Sequence, residues 1–225
     1  MIKFNKQHSY PVLSRAEDEN GNRLYQTPTG PLPSVTTILS ETGDKTGLIE
    51  WERRIGSEMA EKERKEAAGL GSIMHTHLEN YLLGEQRPGG SNLIYKMASR
   101  MADVIIECGL SQMDEVWGME ECLYYPHLYA GTADLIGIFE GKPSIIDFKS
   151  TKKPKKEKWI ENYFLQGAAY ALAHNELFDT NIEQIVILMC SREMEFQKFI
   201  ITPESFPKYS KLWVERLKLF NATMS

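Results

Sequence analysis

Apolar positions along the chain change their period several times, and each change marks an element. YPVLSRAE (10–17) and NRLYQT (22–27) read as two strands around Asn20-Gly21, a strong type I′ turn signal. Pro33-Ser34 then opens a short helix through Leu39, with Ser34 as its N-cap. From about Ile49 to Leu83 the chain is charged and helical, with a break expected near Gly69 and Gly71. The first half of that stretch, EWERRIGSEMAEKERKEAA, has little apolar face and reads as a solvated arm. The second half, SIMHTHLENYLL, carries Ile73, Met74, Leu78, Tyr81 and Leu82 at helical spacing and is expected to pack.

Leu93 to Cys108 gives another helix. The period then shortens to two. Glu115–Tyr125, Leu128–Phe139 and Ser144–Phe148 read as successive strands, with turns at Pro126 and at Gly141-Lys142-Pro143. Lys158 to Leu177 is helical again, with Trp159 read as an anchor for that helix. Ile185–Met189 suits a central strand, Glu195–Ile201 an antiparallel neighbour, and Ser205–Phe220 an amphipathic helix. This order predicts an α/β fold, a central mixed β-sheet flanked by helices. No repeat or low-complexity linker divides the chain. One domain over 1–225 is expected, with a hairpin and helical arm in 1–68 and the core in 69–225.

Composition changes little: 42% apolar and 25% charged residues describe an ordinary globular chain. Charge changes more. A net charge of −5 means that any polyanion must meet a local basic face. Cys108, Cys122 and Cys190 are scattered, which argues for a reducing compartment and against a zinc or iron–sulfur site. No apolar run approaches the roughly 18 residues of a membrane span, and MIKFNKQHSY lacks a signal-peptide core. The expectation is a cytoplasmic protein without a membrane partner.

Gly131 to Lys149, GTADLIGIFEGKPSIIDFK, carries charges that a strand pattern does not explain. Asp134 lies thirteen residues before Asp147, and Lys149 follows two later. Two carboxylates and an ammonium are costly to bury without partners or a function. If the second and third strands pair antiparallel about Glu140–Lys142, the two carboxylates come together. Hard oxygen ligands of this kind suit Mg²⁺ or Mn²⁺, which keep open positions for water and phosphate. Asp147 and Lys149 share a strand face, so Lys149 can contact both an attacking water and a phosphate. The same spacing also suits a buried Asp–Lys ion pair.

His75 and Glu79 lie one helical turn apart. His75 is a candidate to complete a metal shell, with Glu79 as outer ligand or orienting partner. An isolated histidine is more often structural, and His77 on the opposite face is assigned that role. Gln166 and Tyr170 repeat the i, i+4 spacing after the Asp-x-Lys strand, where both tips can reach a phosphate or a base. The other reading of Tyr170 is an edge tyrosine with its hydroxyl in water.

Lys149, Lys152, Lys153, Lys155, Lys156 and Lys158 put six lysines into ten residues. Such a tract tracks a DNA backbone when it borders a phosphodiester site, and is otherwise a solvated loop. The arm adds Trp51, Arg53, Arg54, Lys62, Arg64 and Lys65 among several glutamates, which suits either DNA or a surface helix laced by charge pairs.

In order and spacing, Gly71…His75…Glu79, Gly131-Thr-Ala-Asp134, Asp147-Phe-Lys149 and Gln166…Tyr170 together resemble the RecB-like branch of the PD-(D/E)XK nuclease superfamily. Within it the pattern is similar to phage-type exonucleases related to the mitochondrial genome maintenance exonuclease. LPSVTTIL (32–39) and Trp51-x-Arg53-Arg54-x-Gly56 resemble their N-terminal segments, so the likeness spans about residues 30 to 200. Asp147 stands where many superfamily members carry Glu, and the cysteine cluster of the iron–sulfur relatives is missing.

The resemblance implies a restriction-endonuclease-like core and a metal-dependent DNA exonuclease using Mg²⁺ or Mn²⁺. His75, Asp134, Asp147 and the backbone carbonyl of Phe148 would hold the metal, with Glu79 the weakest candidate. Lys149 would orient and activate water, and Gln166 and Tyr170 would support the substrate. The arm would form an arch beside the site, giving a preference for single-stranded DNA ends. Lys152, Lys153, Lys155, Lys156, Trp51, Arg53 and Arg54 are the candidate DNA contacts. The partners implied are DNA and replication or recombination proteins. The alternatives are a duplex-resecting exonuclease working with a phage recombinase, and a non-catalytic DNA-binding protein on a nuclease fold.

Overall fold

The computed structural model describes residues 2–19 and 21–224. The N-terminal part contains β1 (Lys3–Phe4), β2 (Ser14–Glu17), β3 (Arg23–Thr27), β4 (Gly30–Pro33), α1 (Val35–Thr42), α2 (Thr46–Ile55), α3 (Ser57–Leu83) and α4 (Leu93–Cys108). The rest contains β5 (Met113–Tyr125), β6 (Tyr129–Phe139), β7 (Lys142–Thr151), α5 (Glu161–Phe178), β8 (Gln184–Ser191), β9 (Phe196–Ile201) and α6 (Phe206–Met224). A six-stranded sheet runs in the order β1-β5-β6-β7-β8-β9. It is mixed, because β5, β6 and β7 form an antiparallel meander while β8 lies parallel to β7. The parallel pair needs a crossover, and α5 supplies it.

Every residue of β8 is buried, as expected of a strand covered on both faces. Alternate residues feed two cores. Ile145, Ile187 and Met189 pack with α1, α5 and α6, while Ile146, Phe148, Val186 and Leu188 pack with α3 and α4. The fold is therefore α/β, with helices on both faces of the sheet.

Several local expectations hold, with shifted bounds. β2 and β3 form the N-terminal hairpin, and β4 adds a third strand that the pattern did not mark. Gly21 sits in the turn at φ 77°, whereas Asn20 lies outside the described residues. Ser34 caps α1 by accepting a hydrogen bond from the Thr37 N–H at 2.9 Å. The turn before β7 is formed by Glu140 and Gly141, both at positive φ, so Lys142 and Pro143 already belong to the strand.

Two expectations fail. The helical stretch breaks at Gly56, whose φ of 85° a side chain would disfavour, and α3 runs unbroken through Gly69 and Gly71. Gly71 instead permits a close approach, since a Cβ there would lie 3.3 Å from Ser150 Oγ. Trp159 does not anchor α5. It stands 59% exposed in a short 3₁₀ turn, with the Lys156 ammonium 5.4 Å from its ring centre. Ile160 and Phe164 are the buried anchors. Among the described residues no helix is long and apolar enough to cross a membrane.

The sheet opens at one place. β6 and β7 pair from Phe139/Lys142 to Leu135/Ile146, and the ladder stops there. Beyond that point β6 stays with β5, and β7 stays with β8. The fork between them is spanned by α5, held close because Gly167 abuts Ile185. Replacing Gly167 by Ala gains up to about 1 kcal/mol of helix propensity but overpacks the contact by about 1–3 kcal/mol. A net loss of stability is expected in urea unfolding, and a stabilised variant would contradict this packing.

Candidate active site

At the mouth of the fork the Phe148 N–H has no strand partner, and the Asp134 carboxylate takes it at 2.8 Å. This bond fixes Asp134 across the gap from β7. The Phe148 carbonyl faces α3, where it lies 2.9 Å from His75 Nε2. The other ring nitrogen of His75 lies 3.7 Å from Asp134 and 3.8 Å from Glu120. Donor atoms of His75, Glu120 and Asp134 all fall within 4.8 Å of one another.

No motif in the sequence marks Glu120. It lies in β5 at φ 52°, a conformation uncommon for a non-glycine residue and frequent at functional sites. Strand alternation alone does not say which way such a residue points, so Glu120 and Glu121 were indistinguishable. A nearby cleft is lined by Gly71, His75, Thr76, Glu79 and Glu120, which puts Glu79 beside the cluster but outside it. Burial, with Glu120 and Glu85 nearby, raises the Glu79 pKa.

Asp147 and Lys149 form the deepest charged pair. The lysine ammonium lies 2.8 and 2.7 Å from the two carboxylate oxygens, donating its hydrogen bond to Oδ1. Asp147 is 1% exposed, so the ammonium is the charge partner of both its oxygens. Burial pushes its pKa up to about 6, Lys149 pulls it down, and Asp134 adds to the rise. For Lys149, burial opposes the charge, but Asp147 and Asp134 prevail and raise its pKa. Tyr163 lies under the ammonium at 5.0 Å from ring centre to nitrogen, another residue that no motif marked. His75 is likewise opposed by burial, yet Asp134 and Glu120 lift its pKa to about 9.

Gln166 and Tyr170 come together over the fork from α5. The Gln166 amide donates to the Tyr170 hydroxyl at 3.3 Å, and Tyr170 is buried rather than edge-exposed. Gly131 makes room for it, since a Cβ there would lie 2.6 Å from the Tyr170 ring. His77 is buried on the opposite face of α3 and accepts a hydrogen bond from Arg87 at 3.1 Å, a structural role.

The candidate DNA contacts are more dispersed. Lys152 and Lys153 are exposed just past β7, and Lys152 pairs with Glu63 at 3.2 Å. Lys155 is tied by its backbone to Gln197, so the tract bends away along β9. Arg53 and Arg54 are exposed in α2, and Trp51 is half-buried with the Arg64 guanidinium 5.5 Å from its ring.

The metal expectation meets a fitting donor set. One imidazole and two carboxylates within 4.8 Å, with a backbone carbonyl beside them, suit a hard divalent cation, while Asp147 lies outside this group and is engaged by Lys149.

Comparison with known proteins finds relatives named as exonucleases. No protein-family model matches the chain. Mitochondrial genome maintenance exonuclease 1 of Xenopus tropicalis is 28% identical over 210 residues, covering 84% of this chain and 57% of that protein. The Homo sapiens protein of that name is 29% identical over 163 residues, covering 67% of this chain and 45% of that protein. The Mus musculus protein is 24% identical over 243 residues, covering 94% and 68%. These relatives are exonucleases by name. The chain spans about half the length of the first two. A crystal structure from Eubacterium rectale, provisionally named an exonuclease, aligns at 15% identity and a TM-score of 0.48, covering 70% of this chain and 68% of that one.

Removing one partner of a buried ion pair strands the other and costs about 3–5 kcal/mol, whereas replacing both by apolar groups is often neutral. Lys149→Ala is therefore expected to cost several times more in urea unfolding than Asp147→Leu combined with Lys149→Met. A double variant as unstable as the sum of its single changes would contradict the pairing.

Proposed function

We propose that this chain is a divalent-metal-dependent deoxyribonuclease of the PD-(D/E)XK type that degrades DNA from a free, single-stranded end. The observation that carries the reading is the fork. One unzipped stretch of sheet gathers His75, Glu120, Asp134, the Phe148 carbonyl, Asp147 and Lys149. Similarity to exonucleases over 84% of the chain supports it independently.

His75, Asp134, Glu120, the Phe148 carbonyl and Asp147 would hold Mg²⁺ or Mn²⁺, with Glu79 at the edge of the shell. Such an ion polarises a phosphate oxygen and makes a bound water more acidic. The chain's own groups do the rest. Asp147 fixes the Lys149 ammonium and, with Asp134, keeps it charged. Held there, Lys149 orients the attacking water and stabilises the negative charge that develops on the phosphorus oxygens. Gln166 and Tyr170 present a polar edge for placing the substrate. The arm, in which α2 buries none of its residues and presents Arg53 and Arg54 to solvent, supports a preference for one strand over a duplex.

The test is a time course on single- and double-stranded DNA labelled at either end, with Mg²⁺ and with EDTA. Short products from single-stranded ends are expected only with the metal. Lys149→Gln, which keeps a donor beside Asp147, is expected to slow release by about 10²–10³-fold. A duplex preference would select the resecting alternative. No metal-dependent turnover on any substrate would leave the non-catalytic binding protein.

A further inference from the structure

A second feature lies one residue beyond the site. The C-terminal ends of the parallel strands β7 and β8 are laced by a hydrogen bond from the Arg192 N–H to the Thr151 carbonyl at 2.9 Å. Ligands of α/β sheets favour this end of parallel strands. Above it stands the arm, and between arm and sheet runs a groove of about 330 Å³. Its apolar wall is built from Leu48, Trp51, Ala67 and Leu70, and its floor continues from Ser150 to Lys152.

The rim is cationic, but each cation is held by an arm glutamate. Lys152 pairs with Glu63 at 3.2 Å, Arg192 with Glu66 at 2.8 Å, and Arg64 with Glu52. Glu63 and Glu66 lie three residues apart on α3, so one helix face grips the loops that follow both strands.

We propose that this groove is the binding site for an unpaired nucleotide segment of the substrate strand, and that Glu63 and Glu66 hold its two phosphate-contacting cations until the strand displaces them. The proposal rests on the nuclease reading above and adds Arg192, which no motif marked. One base lies against the Trp51 wall, because aromatic faces stack on any base. Its flanking phosphates take Lys152 and Arg192. The exchange is easy: partly exposed ion pairs contribute little, and phosphate contacts gain from counterion release. The groove begins at Ser150, which lies against Gly71, and Gly71 also lines the cleft of His75 and Glu120, so a strand lying in the groove borders the fork on the α3 side of the sheet.

The hypothesis makes predictions of opposite sign for the two members of each pair. Binding is measured by fluorescence anisotropy with a short labelled oligothymidylate in EDTA, so that turnover plays no part. Arg192→Gln is expected to weaken binding roughly five-fold, and Glu66→Gln to tighten it by a similar factor. The salt dependence of log K should fall by about 0.7 in Arg192→Gln, one phosphate contact on a single strand. Glu63→Gln, which acts through Lys152, must also tighten binding and keeps the test open if Arg192→Gln does not fold. Shifts in the same direction for Arg192→Gln and Glu66→Gln, or no shift in either, would overturn the proposal and leave a structural clasp. Failure of the nuclease reading is separate: opposed shifts in binding without metal-dependent cleavage would sink that reading alone.

Discussion

One hydrogen bond sets the geometry on which the site depends. Between β6 and β7 the backbone ladder ends at Leu135/Ile146, and the next free N–H, that of Phe148, is satisfied by the Asp134 side chain. A carboxylate reaches farther than a carbonyl, so the strands diverge without leaving a buried donor unpaired. The divergence lets α5 lower Gln166 and Tyr170 over the gap and lets the Phe148 carbonyl turn toward His75.

Electrostatics then restricts what the fork can hold. Asp134 and Asp147 both border it, and among the described residues Lys149 and His75 are the cations that offset them. Burial drives the Asp147 pKa up and would expel its charge, yet the ammonium keeps the pair intact. A surplus of carboxylates around an imidazole is an arrangement suited to a divalent cation. The arm repeats the theme at lower cost, since its glutamates hold cations near the surface.

Much of this was legible in the sequence because it rests on local rules. Period changes located the meander, the crossover helix and the buried β8, and i, i+4 spacing paired Gln166 with Tyr170. Asp134, Asp147 and Lys149 are visible as charges in strands that otherwise read as buried. Glu120 was not, because its direction depends on a positive φ inside β5 that no turn residue announces. Arg192 was not, because its meaning comes from Glu66, 126 positions away. The expected break at Gly69 and Gly71 failed for a related reason. Glycine marks either a bend or a close contact, and only the position of Ser150 decides which.

The claim that the fork is a cation site is tested most directly by titrating Mn²⁺ into the protein, followed by calorimetry. Saturable binding in the wild type, lost in Asp134→Asn while the fold persists by circular dichroism, is the result expected. Unchanged Mn²⁺ affinity in a folded Asp134→Asn variant would contradict it.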